Sequence, residues 1–164
     1  MTLLLSTLST PIGSLNLIAD EHILLAANLS NVKALKESLS QEDSEREFKS
    51  VSRIPIISDL INDYFDGDIA ALNAISVRQP GAHFSQEAWK AMKKVKAGKV
   101  ISYGELAERA GSPAAVRAAG SACAKNAIVL IVPCHRIVKT GGALGNYAYG
   151  LDKKEWLLRH EGAL

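Results

Sequence analysis

The chain has 164 residues, 48% of them hydrophobic, and a formal net charge of +2. That length supports one sizeable core or two small lobes. No run approaches the roughly 18 consecutive apolar residues of a membrane span, and the N-terminus lacks the basic segment of a secretory signal peptide. Two cysteines, Cys123 and Cys134, and four scattered histidines form neither a disulfide framework nor a clustered zinc-ligand pattern. A cytoplasmic protein with no metal, no cofactor and no membrane partner is therefore expected.

The charge is unevenly spread. Residues 1–78 hold 6 Lys/Arg against 11 Asp/Glu, whereas residues 79–164 hold 13 against 6. A basic second half suits an anionic partner such as a phosphate backbone, although a solvated surface with uneven lysines has the same composition.

Residues 3–8, 14–19 and 23–29 read as three short strands, with turns at Thr10-Pro11-Ile12-Gly13 and Asp20-Glu21-His22. This is an antiparallel meander. Ser30-Asn31 can cap a helix over 32–39, and the polar stretch from Gln41 to Ser50 reads as a loop. A second helix begins at Ser58 and stops at Asp66-Gly67-Asp68, and residues 66–82 read as a linker. Ser85 can cap a helix to about Lys96. Ser102 and Glu105 have capping-box spacing for the next, which Gly111 closes. Pro113 suits the first position of a helix running to Ala124, and Asp152 can cap the last, ending at His160. The expected fold class is α+β. A small antiparallel-sheet N-terminal lobe (1–78) supports a mostly helical C-terminal lobe (79–164) with a winged-helix-like helix-turn-helix.

The second helix of that pair is bare. Between Ala114 and Ala124 nearly every side chain is small, and Arg117 is the only large one before Lys125. Such a helix can approach another surface closely with Arg117 projecting alone, or it can pack against the protein's own core.

The apolar run from Ala127 to Val132 ends at Pro133-Cys134-His135-Arg136. A thiol reacts as its thiolate, an imidazole can take its proton, and a carboxylate can orient the imidazole. His135 is the available base, and Glu161 and Glu155 are candidate orienters. A cysteine ending an apolar run can equally be a small buried hydrophobe. Neighbours on a strand point to opposite faces, so Pro133, which ends the strand, matters to any cooperation between them. The glycine-rich stretch 140–150 lacks the Lys-Ser/Thr of a phosphate-binding loop.

Five blocks in order resemble the O6-alkylguanine-DNA alkyltransferases over about residues 79–162. They are Val100-Ile101-Ser102-Tyr103-Gly104-Glu105-Leu106-Ala107, Arg117-Ala118-Ala119-Gly120, Pro133-Cys134-His135-Arg136, Gly145-Asn146-Tyr147, and Glu155-Trp156-Leu157-Leu158-Arg159-His160-Glu161-Gly162. The N-terminal half is similar only loosely, through its meander and Thr10-Pro11-Ile12-Gly13.

The resemblance implies single-turnover repair of O6-alkylguanine, and of O4-alkylthymine, in double-stranded DNA. Cys134 would be the nucleophile, His135 its base through a water, and Glu161 the group orienting His135. Tyr103 would donate to guanine N3, and Asn126 would hold the helix-turn-helix against the active-site segment. Arg117 would enter the duplex as a finger in place of a flipped-out nucleotide. Ser102, Ala115, Ala118, Lys125 and Arg136 would face DNA. Tyr103, Cys123, Ile137, Tyr147, Ala148 and Tyr149 would line the base pocket, with main-chain groups at Cys134, Ile137 and Ala148 on the base. Binding would be in the minor groove and largely sequence-independent, by a monomer or a cooperative array.

Two positions depart from the family pattern. Tyr149 stands where glycine is expected in some members, and would narrow the pocket against bulky adducts. Cys123 replaces a larger apolar residue, as packing or as a second thiol. Three rival functions remain at this level: a lesion-binding protein without chemistry, which would lack Cys134; a cysteine hydrolase, which would turn over without DNA; and a winged-helix regulator, which would need base-reading side chains where this helix has alanines.

Overall fold

Apolar-rich runs build the first three strands, β1 (Leu3–Thr10), β2 (Gly13–Asp20) and β3 (Ile23–Asn28), and β2 and β3 each bury five residues in succession. The computed structural model describes residues 2–164. β1 and β2 pair antiparallel through a tight turn in which Thr10 Oγ1 donates to Gly13 O at 2.6 Å. Gly13 has φ +116°, a conformation open to glycine and strained for other residues. β3 pairs antiparallel with β2. Helix α1 (Val32–Glu37) is capped by Asn31, whose Oδ1 accepts from Ala34 N at 2.8 Å, and it buries Leu35 with Leu3, Ile18, Leu25 and Ala26.

The stretches expected as loop and linker contain further structure. After the short α2 (Gln41–Ser44), β4 (Phe48–Ser50) joins the sheet parallel to β1. Helix α3 (Ile57–Phe65) follows, and then β5 (Ser76–Val77) joins parallel to β3. The sheet is thus five-stranded and mixed, in the order β4-β1-β2-β3-β5. Both added strands lie at edges, are short, and expose one side to solvent, so their sequences carry no apolar alternation. Phe48 is the single anchor of β4, packing on the core beside Leu5.

Chain packing divides the molecule into two units: residues up to Pro80 together with Ala127–Ile131, and Gly81–Asn126 together with Val132–Leu164. The expected boundary at 78/79 did not anticipate that Ala127–Ile131 belongs with the first unit. This segment lies along β3, where Ala27 N donates to Ala127 O at 2.9 Å and Val129 N to Ala27 O at 3.1 Å. Leu130, at φ +77°, then turns the chain, which rejoins the second unit at Val132.

The second unit is mostly helical. It contains α4 (His83–Lys93), α5 (Tyr103–Arg109), α6 (Val116–Ala124) and α7 (Leu151–His160), with β6 (Ile101–Ser102) paired parallel to β7 (Ile137–Val138). Ser102 caps α5 as expected, its Oγ accepting from Glu105 N at 3.0 Å. Three other helix starts differ from expectation. α4 begins at His83 behind Ala82, so Ser85 lies inside the first turn. Pro113 falls in the turn before α6, which begins only at Val116. Gly150 at φ +106° precedes α7 and places Asp152 in its first turn, not at the cap.

α4 packs across both α5 and α6. Trp89 fixes that crossing. Its Nε1 donates to Ala122 O at 2.9 Å, and the edge of its ring covers Gly81, where an added Cβ would come within 2.6 Å. Trp89→Phe keeps an aromatic ring, though a smaller one, and removes the donor, leaving the buried Ala122 carbonyl unpaired. A loss of about 1–2 kcal/mol is expected, read as a lower urea midpoint with an unchanged slope.

Candidate active site

Pro133 ends the extended chain, and Cys134–Arg136 form one 3-10 turn before β7. Cys134 N donates to Val132 O at 2.8 Å and Arg136 N to Pro133 O at 3.0 Å. The turn, not a strand, sets the directions of the three side chains, and all three are buried. Glu161 comes from the C-cap of α7. Its Oε2 lies 2.8 Å from His135 Nε2, and both side chains are 0% exposed. The same carboxylate is gripped by Arg136, with Nε donating to Oε1 at 2.8 Å and Nη2 to Oε2 at 3.0 Å. The remaining guanidinium nitrogen, Nη1, donates to Val95 O at 2.7 Å.

Arg136 was expected to face DNA. The structure corrects that expectation: its guanidinium is buried against Glu161, because an interior carboxylate needs a paired, hydrogen-bonded cation. Glu155, the other candidate orienter, lies on the outer side of α7 and pairs with Arg159 at 2.7 Å.

Burial by itself would raise the Glu161 carboxyl. Hydrogen bonds from His135 and Arg136 and the charge of Arg136 outweigh it and hold the group well below the usual carboxylate range. Burial lowers His135 below the ordinary imidazole range; Glu161 opposes this, and the positive charges of Arg136 and Lys154 reinforce it. The pair is therefore a carboxylate and a neutral imidazole. A carboxylate only accepts, so Nε2 carries the ring proton and Nδ1 keeps its lone pair. Nδ1 is buried and has no hydrogen-bond partner among the described residues.

Burial pushes the Cys134 thiol up, and the Asn126 side chain and the charge of Lys154 only partly offset it. The thiol rests protonated and needs a base to react. Asn126 Nδ2 also donates to Val132 O at 2.8 Å, tying the end of α6 to the segment that carries Cys134. Lys154 was missed by the sequence reading. It is 0% exposed and donates to Ile137 O at 2.6 Å and Asn146 O at 3.2 Å. Burial pushes its ammonium down, and the two thiols, Cys134 first, pull it back up. In sequence it looks like any lysine of an amphipathic helix, and only its burial sets it apart.

Tyr103 opens α5 and passes its hydroxyl against Gly145, where an added Cβ would lie 2.9 Å from the oxygen. Gly145 has φ +76°, so both the close approach and the backbone call for glycine. Burial raises Tyr103 and keeps it a phenol. Cys123 is pushed up to about 12, by burial first and then by Cys134, and so stays an inert thiol. Tyr147 and Tyr149 stack edge-on at 5.8 Å, Ala148 between them is exposed, and Ile137 is fully buried. On the outer side of α6, Arg117, Ala118 and Lys125 are exposed, while Ala115 is half-buried, as is Ser102, whose hydroxyl is used as a cap. No group of three or more His, Cys, Asp or Glu among the described residues is placed to hold a metal.

Residues 83–163 match the family described as 6-O-methylguanine DNA methyltransferase, DNA binding domain. The methylated-DNA–protein-cysteine methyltransferase of Shigella flexneri is 36% identical over 170 residues, covering 100% of this chain and 98% of that protein. The chain belongs to the methylated-DNA–protein-cysteine methyltransferases. The methyltransferase of the same name from Methanosarcina acetivorans is 36% identical and covers 94% of this chain and 95% of its own. The crystal structure of the Mycobacterium tuberculosis O6-methylguanine methyltransferase superposes with a TM-score of 0.77 at 30% identity, covering 98% of this chain and 93% of that one. A structure of Mycobacterium tuberculosis OGT in complex with DNA gives 0.79. The likeness to these methyltransferases extends through the N-terminal half, beyond the five blocks seen in sequence.

The buried pair sets the acid sensitivity of this methyltransferase. With His135 below its ordinary 6.5 in the folded state, the unfolded chain binds more protons as pH falls through 6.5, so stability is lost on acidification there. Glu161, held below its ordinary 4.5, removes more as pH falls further. Urea midpoints should fall from about pH 7 to about pH 5, and His135→Asn should flatten that slope. A flat wild-type profile would show that His135 is not a buried neutral imidazole.

Proposed function

We propose that this methyltransferase repairs alkylated DNA directly, moving the alkyl group from guanine O6, and from thymine O4, to Cys134. The observation that carries this reading is the buried Cys134–His135–Glu161 constellation, set in the same unit as a helix-turn-helix whose second helix is bare except for Arg117.

His135 Nδ1 takes the thiol proton through a water. The sulfur then attacks the alkyl carbon, the carbon–sulfur bond forms, and the carbon–oxygen bond breaks with its electrons left on the base. Glu161 orients His135 throughout and compensates the imidazolium that forms. Tyr103, a phenol at rest, donates to guanine N3 and so neutralises the departing base. The product is a thioether. Sulfur then carries no good leaving group, so water does not restore the thiol and each molecule acts once.

A base stacked in a duplex is out of reach of a buried thiol. The nucleotide is therefore flipped out, at a cost of a few kcal/mol. The small residues of α6 fit a shallow approach to the minor groove, and Arg117 fills the space the nucleotide leaves. Alanines cannot hydrogen-bond base edges, so binding is largely independent of sequence and weakens with salt. Ser102, Ala115, Ala118 and Lys125 flank this contact. The pocket wall includes Cys123, Ile137, Tyr147, Ala148 and Tyr149. On DNA the protein acts as a monomer or in a cooperative array, and it works in the cytoplasm.

Mass spectrometry after mixing with a duplex holding one O6-methylguanine tests the reaction. One methylene's mass on the Cys134 peptide, in equal amount to the lesion, is the expected result. Turnover with an unmodified protein would instead point to a cysteine hydrolase, and binding without any mass change to a lesion-binding protein.

Tyr149, braced by Tyr147, narrows the pocket. Tyr149→Gly should raise the ratio of benzyl to methyl transfer by roughly tenfold, the scale of a steric change in an apolar pocket. An unchanged ratio in single-turnover rates removes Tyr149 from selectivity.

A further inference from the structure

Arg136 is the one charged group of the constellation for which the alkyl-transfer chemistry provides no part. Its placement is too specific for a packing residue. Each of its three guanidinium nitrogens is bonded inside the protein: two parallel bonds to Glu161 at 2.8 and 3.0 Å, and a third to Val95 O at 2.7 Å. Its side chain is 4% exposed and that of Glu161 0%.

We propose that Arg136 is a positioning residue for the proton transfer, its fork fixing the Glu161 carboxylate so that Oε2 receives His135 Nε2–H and Nδ1 remains the free base for the Cys134 proton. The inference rests on the alkyl-transfer reading for its consequence in rate, and on geometry alone for its consequence in His135.

A buried carboxylate facing one imidazole can be satisfied in two ways. It can accept a hydrogen bond from the neutral ring, or it can draw a second proton onto the ring and form an ion pair. The second arrangement disables the site, because an imidazolium has no lone pair left for the thiol. A guanidinium bound side-on to the same carboxylate already compensates its charge and occupies a lone-pair direction on each oxygen. The ring then gains less from protonation, and Oε2 is held in line with Nε2. The charged groups acting on His135 are Glu161, Arg136 and Lys154. Lys154 also disfavours an imidazolium, but it is committed to Ile137 O and Asn146 O and holds no carboxylate. Of the two cations, Arg136 is the one shown bonded to Glu161. Its third bond, to Val95 O in the turn after α4, sets where the guanidinium stands and therefore where Oε2 points.

The test uses the full chain with nitrogen-15 histidine labelling, and single-turnover transfer from a duplex holding one O6-methylguanine. In the wild type, His135 should stay neutral and protonated at Nε2 from about pH 8 to below its ordinary 6.5, and the transfer rate should be nearly level over that range. In Arg136→Met, His135 should titrate within the range, at least about one pH unit higher than in the wild type, and transfer at about pH 6 should fall at least tenfold relative to about pH 8. Arg136→Lys supplies a point charge without the fork and should give an intermediate shift. A folded Arg136→Met protein with the wild-type tautomer and a level profile would overturn the proposal. Should the Met variant not fold, wild-type behaviour of Arg136→Lys in both readouts would overturn it equally. A wild-type His135 protonated at Nδ1, or charged at neutral pH, would do so without any variant. If the wild type transfers no alkyl group, the proposed function fails, while the nitrogen-15 spectra still decide the role of Arg136.

Discussion

An ionised carboxylate in a dry interior is the constraint around which the second unit is arranged. Burying one unpaired charge costs several kcal/mol even after relaxation, so Glu161 must be met from several sides by hydrogen-bonding groups. His135 and Arg136 meet it from the 3-10 turn, and Glu161 itself is delivered by the end of α7. Arg136 extends the network to Val95, so the turn after α4 is bound into it. The backbone presses close as well: a Cβ added at Gly98 would lie 3.0 Å from Glu161 O. Three segments distant in sequence thus converge there: the 3-10 turn, the end of α7 and the turn after α4. None can move without leaving a charge or a polar atom unpaired.

The same interior holds back the Cys134 sulfur. Burial raises the Cys134 thiol, so the resting protein holds a protonated sulfur beside a neutral base. On the proposed reading, this arrangement protects a residue that reacts once. An exposed thiolate would be consumed by oxidants and stray electrophiles. Lys154 and Asn126 provide the opposing bias, a positive charge and a donor already aimed where negative charge develops during proton removal. Such preorganised groups stabilise the developing thiolate more than the resting thiol. At Cys123 only the charge of Lys154 opposes burial, whereas Cys134 also has the Asn126 side chain.

What the sequence made legible was local. The Ser102 cap, the Gly111 stop after α5, the three-stranded meander and the adjacency of Cys134 and His135 all depend on residues within a few positions of one another. What escaped depends on distance. Arg136 and Glu161 are 25 positions apart, and an arginine after a histidine in a basic half reads as a phosphate contact until its partner is in view. Lys154 has the pattern of a solvated lysine, since the carbonyls that bury it come from Ile137 and Asn146. The edge strands β4 and β5 gain their place from neighbours, not from alternation. The segment 127–131 is apolar enough to suit either unit, and only its pairing with β3 assigns it to the first.

The bareness of α6 and the closed site follow from one requirement on the proposed reading. If the sulfur must stay buried until it reacts, the substrate must come to it, and a base can do so only by leaving its helix. The protein surface must then lie close against the duplex while its single long side chain occupies the gap. Large residues along α6 would hold the backbone away, and hydrogen-bonding ones would tie binding to particular sequences, which a repair protein cannot accept because lesions arise anywhere. Ala118 and Ala124 on the exposed side of α6 offer no hydrogen bond to a base, Val116 and Ser121 are short, and Arg117 is the one long side chain of that helix. Specificity then lies in the pocket, among Tyr103, Tyr147 and Tyr149, and not in the groove.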